Sequence, residues 1–138
     1  MTPDEVRSFL SEGTRTIMLA TTRADGRPHL APVWFLLDGD DIVFTTWHRS
    51  VKTANLRHDP RVALSLDDPH PPYRFVSIEG VASIDEHAPD LREWATRIAA
   101  RYVGEEEVDA YGQRNSVEGE WLVRVTPSRL TSESNVIG

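Results

Sequence analysis

The segment Thr45-Thr46-Trp47-His48-Arg49-Ser50-Val51-Lys52-Thr53-Ala54-Asn55-Leu56-Arg57-His58-Asp59-Pro60 decides how this chain is read. Thr45 and Thr46 end a β-prone run, and a polar loop follows through Arg49. Ser50 has the short hydroxyl side chain that caps a helix start. Pro60 closes the helix, because the residue before a proline is pushed out of the helical region. Lys52 falls in the first turn, and of the 15 Lys and Arg residues in the chain it alone is a lysine. Arg49, Lys52, Arg57 and Arg61 stand against Asp59, a local charge of about +3 on a chain whose formal charge is -7. A helix N-terminus offers free N–H groups and the positive end of aligned peptide dipoles, so a cation beside it makes a place for phosphate. A solvated helix start with ordinary surface arginines has the same pattern.

Outward from this segment, short strands alternate with tight turns. Thr16 to Thr22 is β-prone, and Asp25-Gly26 is the pair that a hairpin turn prefers. A second strand is predicted from Pro28 to Leu37, a turn at Asp38-Gly39-Asp40-Asp41, and a third strand from Ile42 to Thr46. Arg61 to Leu66 and Phe75 to Ile84 follow as strands four and five, with Gly80 marking a bulge. Trp121 to Val125 is the sixth. Connections this short make the strands antiparallel. Thr2 caps a first helix with Pro3 in its first turn, and Val6, Phe9 and Leu10 form its apolar side. Pro89 to Tyr102 is the one long helix, with Leu91, Trp94, Ala95, Ile98 and Tyr102 on one face. Gly104 to Gly119 and the tail from Pro127 have no regular pattern. The expected architecture is one domain, residues 1–138, mainly β: a small six-stranded antiparallel barrel with flanking helices.

The composition excludes several functions. With no cysteine there is no disulfide, thiolate nucleophile or Cys-ligated metal. The five histidines are scattered without ligand spacing, and no nucleophile-elbow pattern surrounds a serine. The acidic balance argues against nucleic acid as a partner. No apolar run is long enough for a membrane span, and the acidic start Met1-Thr2-Pro3-Asp4-Glu5 lacks a signal-peptide pattern, so a cytoplasmic protein is expected.

Three linked motifs carry a resemblance. They are Leu19-Ala20-Thr21-Thr22 with Asp25-Gly26-Arg27-Pro28-His29, then Pro32-Val33-Trp34-Phe35, then Lys52-Thr53-Ala54-Asn55-Leu56-Arg57-His58-Asp59-Pro60-Arg61-Val62. In this order, with Glu79-Gly80 after them, the chain resembles the flavin-binding split barrels of the pyridoxamine 5'-phosphate oxidase superfamily. Its Asn-Leu-Arg-His-Asp-Pro-Arg version is similar to that of the small actinobacterial enzymes that use the deazaflavin coenzyme F-420 in place of FMN. Relatives often carry an arginine two residues before the helix lysine. Here that position is Ser50 and the arginine is Arg49, so either Arg49 takes the role from the loop or the phosphate contacts are fewer.

The resemblance implies an oxidoreductase that passes a hydride from reduced F-420 to a small unsaturated organic molecule. It also implies a cofactor site built from Pro32, Val33, Trp34, Thr45, Thr46, Trp47, Arg49, Ser50, Lys52 and Asn55. Strand alternation lets only one of Thr45 and Thr46 face a ligand, and likewise separates Trp34 from Phe35. Asn55 also fits a purely structural role, and Trp47 fits either a pocket wall or a subunit contact. An FMN-dependent oxidase and a non-catalytic flavin or tetrapyrrole carrier are the alternatives. A homodimer with the cofactor at its seam is expected, because Val33 to Leu37 is apolar on both faces and needs cover on both sides.

Overall fold

Local rules set the first half of the chain. In the computed structural model, which describes all residues from Met1 to Gly138, α1 spans Pro3–Ser11. Thr2 Oγ1 accepts the Glu5 N–H at 3.1 Å, and Val6, Phe9 and Leu10 are buried. β1 (Ile17–Thr22) and β2 (Pro28–Val33) form a hairpin whose turn puts Gly26 at φ +88°, a conformation that suits glycine. β3 (Leu36–Asp38) turns at Gly39 into β4 (Asp41–Trp47). The helix α2 (Val51–His58) is capped by Ser50, whose Oγ accepts the Thr53 N–H. β5 (Arg61–Asp67), β6 (Phe75–Asp85), α3 (Leu91–Tyr102), α4 (Val108–Arg114) and β7 (Glu120–Glu133) complete the chain.

All strand pairs are antiparallel, and the sheet order is β2-β1-β5-β6-β7-β4-β3. The two edge strands, β2 and β3, are therefore successive pieces of one segment with only Trp34 and Phe35 between them. The sheet must curl until its edges meet, and the result is an antiparallel barrel split at this point. The predicted bulge is present: the β6–β7 register shifts between Glu79 and Gly80. A Cβ on Gly80 would lie 2.7 Å from the Thr126 carbonyl oxygen, so the approach requires glycine.

Three expectations are corrected. The sheet has seven strands, because the predicted strand Pro28 to Leu37 breaks at Trp34-Phe35. The tail beyond Pro127 is not irregular: β7 continues to Glu133 against β6, pairing Ile78 with Leu130 and Phe75 with Glu133. Within Gly104 to Gly119, residues Val108–Arg114 form α4. Gly112 lets α4 press on α3, since a Cβ there would lie 2.3 Å from Thr96 Oγ1.

The break at Trp34-Phe35 takes its hydrogen bonds from α3. The Phe35 N–H donates to the Tyr102 hydroxyl at 3.3 Å, and that hydroxyl donates to the Arg15 carbonyl at 3.0 Å. Arg101 donates to three carbonyls: Phe35 at 2.9 Å, Leu10 at 2.8 Å and Gly13 at 3.0 Å. Phe35 is fully buried in the core, while Trp34 points the other way and stacks on Tyr102 at 5.1 Å. Leu36 packs on Val43, Trp94 and Leu122, and Leu37 on the main core. Cover for the apolar run Val33 to Leu37 thus comes from within the chain, which removes that run as a motive for a second subunit. No helix is long and apolar enough to cross a membrane.

Arg101→Ala removes three charge-assisted hydrogen bonds, leaving the Leu10 and Gly13 carbonyls without a donor and Phe35 with only the long 3.4 Å contact from the Tyr102 hydroxyl. The expected loss is roughly 2–4 kcal/mol. It should appear as a lower urea midpoint at unchanged m-value. An unchanged midpoint would show that these bonds do not hold the split closed.

Candidate functional site

Polar side chains and two tryptophans converge on a cleft of about 330 Å³ beside the split. β2 and the break supply Pro32, Val33 and Trp34. The end of β4 supplies Thr45, Thr46 and Trp47, and α2 supplies Lys52. The rest of the wall is Ala95 and Ile98 of α3, Tyr111 and Arg114 of α4, then Asn115 and Glu120. Seven of the ten residues singled out in the sequence therefore share one cavity.

Lys52 is half-buried in this cleft and has no hydrogen-bond or ion-pair partner in the chain. Burial pushes its ammonium pKa down, and Glu120 opposes the shift. At the start of α2, Ser50 accepts the amides of Thr53 and Ala54, while those of Val51 and Lys52 have no acceptor. A cation and two unpaired amides at a helix start suit an anion.

Thr45 and Thr46 both border the cleft, but their hydroxyls are used differently. Thr46 is buried, and its Oγ1 lies 3.1 Å from Ser50 Oγ and 2.8 Å from Thr53 Oγ1. Ser50 Oγ is 2.7 Å from Thr53 Oγ1, and Thr53 donates to the Trp47 carbonyl at 2.8 Å. These hydroxyls fix the loop to the helix. Thr45, half-buried, has no side-chain partner in the chain.

Trp47 is 43% exposed and packs edge-on to His48 at 4.5 Å. His48 Nδ1 lies 3.1 Å from the Gly119 carbonyl oxygen, between the rings of Trp47 and Trp121. Gly119 has φ +96°, and a Cβ there would meet both Trp47 and His48 under 3 Å. The glycine therefore sets the place of the indole that walls the cleft.

Three of the ten predicted site residues lie outside the lining. Ser50 is occupied as the cap of α2. Asn55 is buried and donates from Nδ2 to Thr21 Oγ1 at 3.0 Å, tying α2 to β1, which is the structural role. Arg49 is exposed on the loop and has no ion-pair partner in the chain. The residues that sequence reasoning missed are Ala95, Ile98, Tyr111, Arg114, Asn115 and Glu120, all from the C-terminal half. No cap signals α4, since its N-cap Glu107 makes no side-chain bond. Glu120 sits one residue before the predicted sixth strand.

The family model described as pyridoxamine 5'-phosphate oxidase matches residues 2–132. An F-420-dependent biliverdin reductase of Mycobacterium tuberculosis is 33% identical over 101 residues, covering 72% of this chain and 71% of that protein. Among solved structures, the conserved hypothetical protein Rv2991 of Mycobacterium tuberculosis superposes with TM-score 0.81 at 32% identity, over 96% of this chain and 84% of that one. A structure described as an F-420 reductase superposes with TM-score 0.71 at 27% identity, over 90% of this chain and 94% of that one. With the split barrel and this cleft in place, the chain belongs to the pyridoxamine 5'-phosphate oxidase family.

Proposed function

We propose that the protein is an oxidoreductase that binds reduced coenzyme F-420 in this cleft and reduces a small unsaturated organic molecule. The observation that carries the proposal is Lys52: a half-buried, unpaired cation beside two free amides, in a cleft walled by Trp34 and Trp47. The residues present fit a ligand with an aromatic ring system and a phosphoryl group. Lys52 and the amides of Val51 and Lys52 hold the phosphoryl end, and the Thr45 hydroxyl is free to bond a polyol oxygen. Trp34, fixed by its stack on Tyr102, gives one rigid aromatic wall. When bound, the reduced deazaflavin supplies the hydride. The chain's own tasks are to bind, to orient the ring and to exclude water. The F-420-dependent reductases among the relatives support this reading over FMN.

Titration of the apoprotein decides the cofactor. F-420 should bind in the micromolar range and FMN more weakly; tight FMN binding without F-420 binding reverses the assignment. Tight F-420 binding with no reduction of any quinone, enone, biliverdin or nitro compound identifies a carrier instead. Lys52→Ala should weaken binding by about 1.5–3 kcal/mol, roughly ten- to a hundredfold, with the fold intact. Affinity unchanged within about twofold removes Lys52 from the site. Arg49→Ala should also weaken binding if the exposed Arg49 reaches the ligand from the loop.

We also propose a homodimer. Leu30, Val81 and Leu130 are 62%, 48% and 43% exposed. Leu30 shares a shallow hollow with Met18, Ala20 and Ala63, rimmed by Ser65, Ser77, Glu79 and Arg129. Water-exposed apolar surface of this kind on a sheet face favours a second copy as cover. Light scattering at low micromolar concentration should report about twice the chain mass. A monomer that binds cofactor at full affinity excludes both the dimer and a shared site.

A further inference from the structure

Glu120 is the one carboxylate in the cleft. It opens β7, and the β4–β7 register sets it opposite Trp47. Its N–H donates to the Val117 carbonyl at 3.0 Å, so the backbone is held, while the carboxylate itself has no partner in the chain. The charged or titratable groups facing it come from three elements: Lys52 of α2, His48 of the preceding loop, and Arg114 with Tyr111 of α4. Burial pushes the Glu120 carboxyl above its ordinary range, against the pull of Lys52, Arg114 and His48.

We propose that Glu120 takes up a proton whenever an anionic group settles against Lys52, so that the cleft binds such a group together with one proton. The proposal deepens the cofactor reading, in that it concerns the same site and assumes an anion at Lys52. Its cause is electrostatic. An arriving anion screens from Glu120 the cation that pulls on it most, Lys52, and adds a like charge to a partly buried space. Both effects favour the neutral acid. The acid–base balance is one proton from solvent to the carboxylate, and no bond of the ligand is made or broken.

The sign follows from linkage. Glu120 has a higher pKa with the anion bound than without it. Affinity is therefore greatest below the ligand-free value and falls as pH rises from that value to the bound one. With one proton taken up, the loss is at most about tenfold per pH unit. The substitution Glu120→Gln keeps the shape of the side chain and removes its titration. This variant should then bind anions with little pH dependence, and more tightly than the parent at the alkaline end.

Sulfate is the probe, because its charge is constant across the range of about pH 5 to 8. Carbon-13 NMR of the Glu120 carboxyl, with and without saturating sulfate, should show the titration moving to higher pH when sulfate is bound. Calorimetry in two buffers of different ionisation heat should show net proton uptake by the parent and little by Glu120→Gln. Lys52→Ala should lose the sulfate effect on the Glu120 signal. A Glu120 titration that sulfate does not move overturns the proposal, and so does equal uptake by the parent and Glu120→Gln. If sulfate shows the Glu120-dependent uptake and neither F-420 nor FMN binds, the proton coupling stands and the cofactor reading falls. If F-420 binds with no uptake at Glu120, only the coupling falls.

Discussion

One segment, Pro28 to Asp38, has to serve both edges of the same sheet, and the rest of the molecule is arranged around that constraint. A strand that left one edge and entered the other without interruption would have to follow the curl of the whole barrel. The chain instead leaves strand geometry for two residues. At such a break the backbone loses its ladder partners, and buried peptide groups need others. Arg101 and Tyr102 provide them, and in doing so they also anchor the end of α1 and the chain before β1. Arginine suits this position because its planar fork reaches three carbonyls at once, which a lysine does not do with fixed geometry. The break then turns Phe35 into the core and Trp34 outward to Tyr102. The cleft is thus a by-product of closure: its aromatic wall exists because the sheet is split there.

The legible parts of this fold were those governed by near neighbours. Thr2 and Ser50 cap helices through their own hydroxyls, and Gly26 and Gly39 turn hairpins within a few residues. Gly80 marked its bulge because a strand interior seldom holds glycine without cause. The missed parts depend on distant partners. Thr126 to Glu133 is mostly exposed and rich in polar residues, so it has no apolar alternation; its strand state comes from the long ladder with β6. The helix α4 has seven residues and an internal glycine, and contact with α3 makes it a helix. The cleft divides in the same way. Its half from β2, β4 and α2 was readable as local motifs, whereas Tyr111, Arg114 and Glu120 arrive through packing that no local pattern encodes.

The charges show a related division of labour. Several arginines are held by nearby carboxylates: Arg61 by Asp59, Arg74 by Asp68 and Glu12, Arg124 by Asp38 and Asp41. Hydrogen bonds from Arg61 hold the Asp59 carboxyl down to about 2. These exposed pairs fasten turns and strand ends and contribute little each to stability. The lysine differs in both respects, being half-buried and left without a carboxylate in contact. A compact ammonium on a flexible stem can meet a phosphoryl oxygen from many angles, which suits a point contact better than a fork.

The three hydroxyls of Thr46, Ser50 and Thr53 hold three protons between them and share four short contacts, one of them to the Trp47 carbonyl. Thr53 gives its proton to the Trp47 carbonyl. With that proton spent, Thr53 can only accept from the other two hydroxyls. Three protons cannot serve four contacts, so one approach among Thr46, Ser50 and Thr53 goes without a hydrogen bond. Neighbours on β4 therefore differ in what they have left: Thr45 keeps an unengaged hydroxyl, while the Thr46 hydroxyl is buried and committed to the loop and helix behind the strand. The free bonding capacity at one strand position is thus set by how a helix is capped behind the next.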